Sequence, residues 1–359
     1  MKIVQAMPTL AYGDAIGNTA LALDALLRGM GLRTGIYAEN IDVRLPKGTA
    51  RPAAKLRTEA EDILLYHGAV TSGFVEKLAK QPGRKVLIYH NITPPRFFDP
   101  YSAKSADLCA KGLEQMRFLA GKVERCIADS QFNADDLRRL GYTCPVDVCP
   151  VFIRFEGYQK PADEATLRAL REDGRTNLLF VGRLAPNKKI EDVIRTFCLY
   201  RRRYNARARL ILAGSDAVPN YTKRLHAYAQ VLGAEDDIVF TGHISFAKLL
   251  ACYRAADAFV CMSAHEGFCV PLLEAMVFDL PVVAAAHAAV PETMGGSGIL
   301  LPEHSPALAA AAVDRVLRDD SLRAAVLAGQ RARLRDFSTE NVAARWQKIF
   351  RRLTGGERG

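Results

Sequence analysis

The sequence has no apolar run long enough to span a bilayer, no Cys-x-x-Cys pair, no Gly-x-Gly-x-x-Gly and no Gly-x-x-x-x-Gly-Lys-Ser/Thr. Each absence excludes something. The most apolar stretch, Leu272 to Val290, is broken by Glu274, Asp279, Pro281 and His287, whereas a membrane span needs about 20 apolar residues in succession. The opening Met1-Lys2-Ile3-Val4-Gln5-Ala6-Met7-Pro8 runs straight into a strand-like segment without the apolar stretch and cleavage site of a signal peptide, so a cytosolic chain is expected. Eight cysteines without metal-ligand spacing suggest neither a zinc site nor a disulfide framework, and they read as reduced and mostly buried. The missing glycine fingerprints leave dinucleotide and P-loop readings without support.

What is present is ordinary in amount and informative in order. At 359 residues the chain points to two domains, taking roughly 150 residues per domain. Composition is 49% hydrophobic, 25% charged and 8% aromatic, inside the soluble globular range. Net charge is +10, with 21 basic and 16 acidic residues before Phe155 and 28 and 23 from there on. An even spread argues against a basic tail for nucleic acid and suits anionic small molecules or an anionic membrane surface. Plain solubility charge would look the same.

Short β-rich runs alternate with amphipathic stretches, as βαβ units around parallel sheets require. Strands are expected at 2–6, 33–37, 63–66, 85–89, 125–128 and 146–148, and again at 177–181, 208–212, 238–240, 258–261, 281–285 and 298–301. The stretch from Pro150 to Pro161, bounded by prolines and without helical periodicity, reads as the linker and hinge. A last helix is expected over 339–353, with Ser338 as N-cap and Val342, Trp346, Ile349, Phe350 and Leu353 on one stripe. Either domain could receive it.

Ligands of open α/β sheets bind beyond the carboxyl ends of the strands, and four such places carry chemistry. After the strand at 177–181 comes Gly182-Arg183-Leu184-Ala185-Pro186-Asn187-Lys188-Lys189. Arg183, as a bidentate fork, and Lys188, as a compact charge, suit one diphosphate at a helix start; a solvated basic loop is the plainer reading. After 258–261 comes Ser263-Ala264-His265-Glu266-Gly267-Phe268-Cys269-Val270-Pro271-Leu272-Leu273-Glu274. Pro271 suits a first helical turn, leaving Glu266 on the loop and Glu274 on the helix. The two carboxylates can then accept from different hydroxyls of one ligand, with loop N–H groups of Gly267, Phe268 and Cys269 facing its negative centre. Cys269 itself reads as a space-filler. The third place is the turn Gly13-Asp14-Ala15-Ile16-Gly17, where backbone can approach a sugar or phosphate. The fourth is His90 at a strand end, with His67 in a similar position; a lone histidine is more often structural.

Glu-x7-Glu from Glu266 to Glu274, together with Gly-Arg-Leu-x-x-x-Lys, resembles the donor site of the retaining, nucleotide-sugar-dependent glycosyltransferases of family 4, also described as glycosyl transferases group 1. The resemblance extends to ADSQFNADDL (128–137), TGHIS (241–245), PVVAAAHAAVPE (281–292) and the Trp-bearing last helix. It implies a GT-B fold: two Rossmann-like doubly wound α/β domains facing a central cleft. It assigns 1–155 to the acceptor, 156–337 to the nucleotide sugar and 338–359 to a helix crossing back to the first domain. Arg183 and Lys188 would clamp the donor diphosphate, Glu274 hold the ribose and Glu266 the transferred sugar. Gly267, Phe268, Cys269 and Val270 would touch sugar and phosphate, and His243 and Ile244 the base. Gly13, Asp14 and Gly17 would add donor contacts, and His90 would face the donor sugar. Lys189 departs from the family, which commonly has Gly there.

The implied reaction moves a hexose from a GDP- or UDP-linked donor, mannose being the leaning, to a saccharide or lipid-linked saccharide in cell-surface polysaccharide or lipopolysaccharide synthesis. Arg183, Lys188 and backbone donors can neutralise the leaving diphosphate, so no metal and no cofactor are expected. Lys47, Arg51, Lys55 and Arg57, and Lys77, Lys80, Arg84 and Lys85, form two basic runs that suit peripheral docking on the inner membrane face or a merely solvated surface. Competing readings are a nucleotide-sugar epimerase or phosphorylase, a non-catalytic nucleotide-sugar-binding protein and, less well supported, a dehydrogenase.

Overall fold

The computed structural model describes residues 1–355. The first half builds strands β1 (Ile3–Leu10), β2 (Thr34–Ile41), β3 (Arg51–Pro52), β4 (Ile63–Gly68), β5 (Arg84–Tyr89), β6 (Arg125–Ala128) and β7 (Val146–Val148). Helices α1 (Ala15–Gly29), α2 (Val75–Ala79), α3 (Ala103–Leu119) and α4 (Gln131–Arg139) lie between them in the chain. The strands form one parallel sheet in the order β3-β2-β1-β4-β5-β6-β7.

The second half builds β8 (Thr176–Val181), β9 (Ala208–Ala213), β10 (Ile238–Gly242), β11 (Ala258–Cys261), β12 (Val282–Ala285) and β13 (Ile299–Leu301), ordered β10-β9-β8-β11-β12-β13 and again parallel. Its helices are α5 (Glu164–Arg171), α6 (Ile190–Arg203), α7 (Pro219–Val231), α8 (Phe246–Ala255), α9 (Val270–Val277), α10 (Val290–Met294), α11 (Pro306–Arg318) and α12 (Asp320–Arg335), and α13 (Thr339–Leu353) follows. The doubly wound α/β class expected from the alternation is the one observed.

Contacts divide the chain into two units. One comprises Met1–Arg96, Lys104–Arg154 and the chain from Phe337; the other comprises Phe97–Ala103 and Phe155–Asp336. In the first, all six residues of β4 are buried, and they alternate between two cores: Leu64 and Tyr66 face one, Ile63 and Leu65 the other. A parallel strand covered on both faces needs this continuous apolar run. The last helix takes its stripe to the second of these cores, where Val342, Trp346, Ile349, Phe350 and Leu353 pack with Ile3, Leu23, Leu27, Ile63 and Ile88. Ser338 caps it by accepting from the Asn341 N–H.

One expectation needs correction and one needs refinement. The first strand runs past Ala6 to Leu10, through Pro8, because its neighbour β2 extends equally far and pairs Thr9 with Asn40. The 150–161 segment does carry the boundary between the units, which falls between Arg154 and Phe155, but it is anchored at both ends: Phe152 is buried in the α13 core, and Phe155–Gln159 coils into a 3₁₀ helix that buries Tyr158. Proline spacing conceals this, because the anchoring comes from two aromatic side chains. Among the described residues, no helix is long and apolar enough to cross a membrane.

Candidate active site

The order of strands reverses between β8 and β11, which are hydrogen-bonded neighbours at the middle of the second sheet. Loops leaving two such strands part to opposite sides and open a crevice at the carboxyl edge. The Arg/Lys loop follows one of these strands and the Glu loop follows the other, so topology joins segments almost eighty positions apart.

A short 3₁₀ turn, Pro186–Lys188, presents Lys188, and the ammonium reaches both oxygens of Glu266 at 2.5 and 2.6 Å. The pair is largely shielded, with side chains 14% and 8% exposed. Burial works against the charge on Lys188, but the Glu266 carboxylate outweighs it and holds the amine above its ordinary value. Arg183 is exposed and close enough to Lys188 to oppose its charge. Lys189 adopts the left-handed conformation at φ 52°, a position that a glycine would hold without steric cost.

Asn187, which sequence reasoning passed over, stitches the two loops together. Its side-chain amide donates to the His265 carbonyl at 2.9 Å, and its own carbonyl accepts from the Ala264 N–H at 2.9 Å. Its place between Pro186 and Lys188 was the only trace in the sequence. On the Glu266 side the chain continues through half-buried Gly267 and buried Phe268 to Cys269, whose φ of 75° makes it a left-handed cap for α9. Cys269 therefore shapes the loop as well as filling space. Val270 opens α9, with Pro271 in its first turn. Cys261, Glu266 and Cys269 bring potential metal-binding atoms within 4.8 Å of one another, yet both Glu266 oxygens already serve Lys188.

Glu274 lies within α9 and accepts from the hydroxyls of Tyr158 at 2.5 Å and Tyr253 at 2.6 Å. Neither tyrosine was singled out in the sequence. Burial raises the Glu274 carboxyl above its usual range, and the two phenols only partly offset it. A carboxyl raised by folding contributes stability in its protonated form, and that contribution is lost as pH rises through the folded value. Glu274→Gln is therefore expected to melt at or above the wild-type temperature at pH 8. The difference should shrink toward zero as pH falls to the ordinary carboxyl range, as followed by thermal melts across pH.

The crevice also depends on a close backbone approach. A Cβ on Gly214 would lie 1.8 Å from the Gly182 carbonyl oxygen, so the ends of β8 and β9 meet only because residue 214 is glycine. Gly214→Ala should cost about 2–3 kcal/mol through overpacking, measured as loss of stability in urea. Beyond β10, His243 is exposed and Ile244 half-buried on the way into α8.

The remaining predicted residues lie in the first unit. Gly13 has φ 80°; Asp14 is the N-cap of α1, its carboxylate accepting from the Gly17 N–H at 2.5 Å, so that oxygen is occupied by a structural task. A Cβ on Gly17 would lie 2.4 Å from the Ala11 carbonyl oxygen. The His90 side chain is 2% exposed, and both its ring nitrogens are engaged, one by Asp129 and one by His67. It offers a ligand no free nitrogen.

Residues 164–333, which include both loops, match the family described as glycosyl transferases group 1. The match covers just under half of the chain and lies within the second unit. Among the relatives of this chain is D-inositol 3-phosphate glycosyltransferase of Corynebacterium glutamicum (strain R), 32% identical over 203 residues that cover 54% of this chain and 49% of that protein. Another is O-antigen chain mannosyltransferase B of Escherichia coli, 29% identical over 175 residues, covering 49% and 45% respectively. The chain spans about half the length of these curated relatives. In fold it is similar to Anabaena Alr3699/HepE, solved with UDP and glucose, at a TM-score of 0.74 and 19% identity, covering 99% of this chain and 100% of that one. This likeness is one of fold, and the fold is GT-B.

Proposed function

We propose that this chain is a retaining, metal-independent glycosyltransferase that moves a hexose from a UDP- or GDP-linked donor to a saccharide or lipid-linked saccharide acceptor. The observation that carries this reading is the shielded Lys188–Glu266 pair at the β8/β11 reversal. Two acidic side chains lie along one strand-loop-helix path, and two cations lie on the loop beside it. The diphosphate takes the cations: Arg183 as a fork and Lys188 as a point charge. As the bond from the anomeric carbon to the diphosphate breaks, the new charge on the leaving oxygen meets groups already in place. The acceptor oxygen bonds to that carbon, and its proton passes to the leaving phosphate oxygen on the same face.

Arrival of the diphosphate gives Lys188 a second anion and frees Glu266 to accept from sugar hydroxyls. Glu274, with Tyr158 and Tyr253 behind it, serves the ribose. Support for a UDP donor comes from the ligands of Alr3699/HepE, and for mannose from the name of the Escherichia coli relative. Calorimetry against UDP- and GDP-linked hexoses ranks the donors; transfer undiminished in EDTA, with retained anomeric configuration by NMR, is the expected result. Binding without turnover for any acceptor would leave a nucleotide-sugar-binding protein instead.

Acceptor contacts belong to the first unit in this reading. There the two basic runs adjoin, since Lys77 donates to the Ala54 carbonyl at 3.0 Å, beside exposed Arg51, Lys55 and Arg57. A patch of this kind suits the anionic inner face of a membrane. Release of the protein from membranes by a salt wash would support that docking.

A further inference from the structure

Two sulfurs stand side by side at the edge of the first unit's sheet. Cys126 lies on β6 and Cys144 two residues before the edge strand β7, with Sγ atoms 3.6 Å apart. The backbone sets them there: β6 and β7 pair Cys126 with Val146, and the Cys126 N–H donates to the Pro145 carbonyl at 2.9 Å. Tyr142 anchors the approach to Cys144, its hydroxyl donating to the Met116 carbonyl at 2.7 Å. Both sulfurs belong to the core that also holds Ala128, Leu137 and Tyr142, whereas Cys149, the next cysteine, belongs to the opposite core. Both thiols are free.

The two differ in access and in freedom to move. Cys126 is fully buried, and burial, with Cys144 beside it, pushes its thiol up, which protects it from direct attack by a soluble oxidant. Cys144 is half-buried and lies on a stretch without regular structure. That stretch leads into β7, a strand of three residues whose only neighbour in the sheet is β6. A disulfide needs its sulfurs at about 2 Å, so a shift of roughly 1.5 Å is required. The short edge segment is the side that can yield.

We propose that Cys126 and Cys144 form an oxidation-sensitive dithiol: a small-molecule disulfide of the glutathione class converts the pair to a cystine that staples β7 to β6. Exchange runs through a mixed disulfide. In the first step the Cys144 sulfur bonds to one sulfur of the oxidant, the oxidant's S–S bond breaks, and its other half leaves as a thiol carrying the Cys144 proton. In the second the Cys126 sulfur bonds to that of Cys144, and the remaining half leaves as a thiol carrying the Cys126 proton. Two protein thiols are oxidised and one disulfide is reduced to two thiols. Contact between the sulfurs makes the second step intramolecular, which compensates for a buried thiol that ionises reluctantly. Cys126 approaches from the core, so the departing group is expelled on the solvent side. The staple closes residues 126–144, which contain α4, into one loop. Removing that freedom from the unfolded chain stabilises the folded one.

A glutathione buffer stepped from reduced to oxidised, applied to the full chain, tests this. After alkylation and trypsin digestion, the expected product is the peptide Cys126–Arg138 linked to Leu140–Arg154, with fragment ions locating the bond at Cys144 rather than Cys149. Its mass should be two hydrogens below the sum of the separate peptides, and dithiothreitol should reverse the link. The oxidised chain should melt about 5–10 °C above the reduced chain. Cys144→Ser keeps the size and polarity of the side chain but has no sulfur; it should lose both the link and the oxidant-dependent shift while melting like the reduced wild type. Should that variant fold poorly, Cys144→Ala provides the same comparison.

Two alkylated thiols in oxidising buffer, a glutathione adduct that persists on Cys144, or a bond from Cys126 to another cysteine overturns the proposal. So does a closed bond without a rise in melting temperature, or an equal rise in Cys144→Ser.

Discussion

Lys188→Ala should lower sugar transfer by about 100- to 1,000-fold, the range seen when one preorganised donor to a developing negative charge is removed. The same change should cost about 3–5 kcal/mol of stability, because it strands the Glu266 carboxylate, only 8% exposed, without its cation. These two losses have different origins and can be separated. Adding Glu266→Gln to Lys188→Ala leaves a neutral amide in place of the stranded charge, so most of the stability should return while transfer stays low. Urea unfolding and initial rates with a saturating donor measure the two sides. Near-normal transfer by Lys188→Ala would remove the proposed role of the pair, whatever the stability data showed.

The second large effect is expected far from any chemistry. Trp346→Ala should destabilise the first unit by about 3–5 kcal/mol, the cost of a large cavity in a close-packed core. Trp346 is fully buried within α13 and stacks on Phe350 with ring centroids 5.6 Å apart. Its indole Nε1 is buried with no hydrogen-bond partner among the described residues. Trp346→Phe therefore loses packing volume but no hydrogen bond, and it should cost less than half as much as the alanine change. Circular-dichroism melts of both variants check the ratio; equal losses would mean that the indole N–H has an acceptor after all.

How far the sequence could be read depended on whether the deciding interaction was local. The last helix was legible to the residue, because its cap and its stripe are both written within one segment. Arg183, Lys188, Glu266 and Glu274 were legible as two motifs, because each motif follows a strand and the chemistry is in the side chains. The strand ends were less so. The reach of β1 to Leu10 depends on β2 lying alongside it, and no property of residues 7–10 announces a neighbour 31 positions away. The linker was placed where the units divide, between Arg154 and Phe155, but its anchoring was hidden for a related reason: prolines mark its ends, while Phe152 and Tyr158 find their pockets in segments remote in sequence.

The residues missed at the site share this character. Asn187, Tyr158 and Tyr253 act by holding other residues, and a polar or aromatic side chain in a loop or helix carries no mark of what it will hold. His90 shows the limit most plainly. Its place at a strand end was readable, but the Asp129 and His67 that commit its nitrogens come from two other segments of the first unit.

Periodicity and motif spacing alone determined that this chain would wind into two parallel sheets and carry two cations and one carboxylate on loops past strand ends, with a second carboxylate on the helix that follows. Only the tertiary structure decided that β8 and β11 are neighbours, that Lys188 closes on Glu266, and that α13 returns to the first unit. The physical reason is that hydrophobic pattern and backbone preference act within a few residues, whereas strand order, ion pairing and buried hydrogen-bond polarity are settled by whichever distant segments share the same small volume.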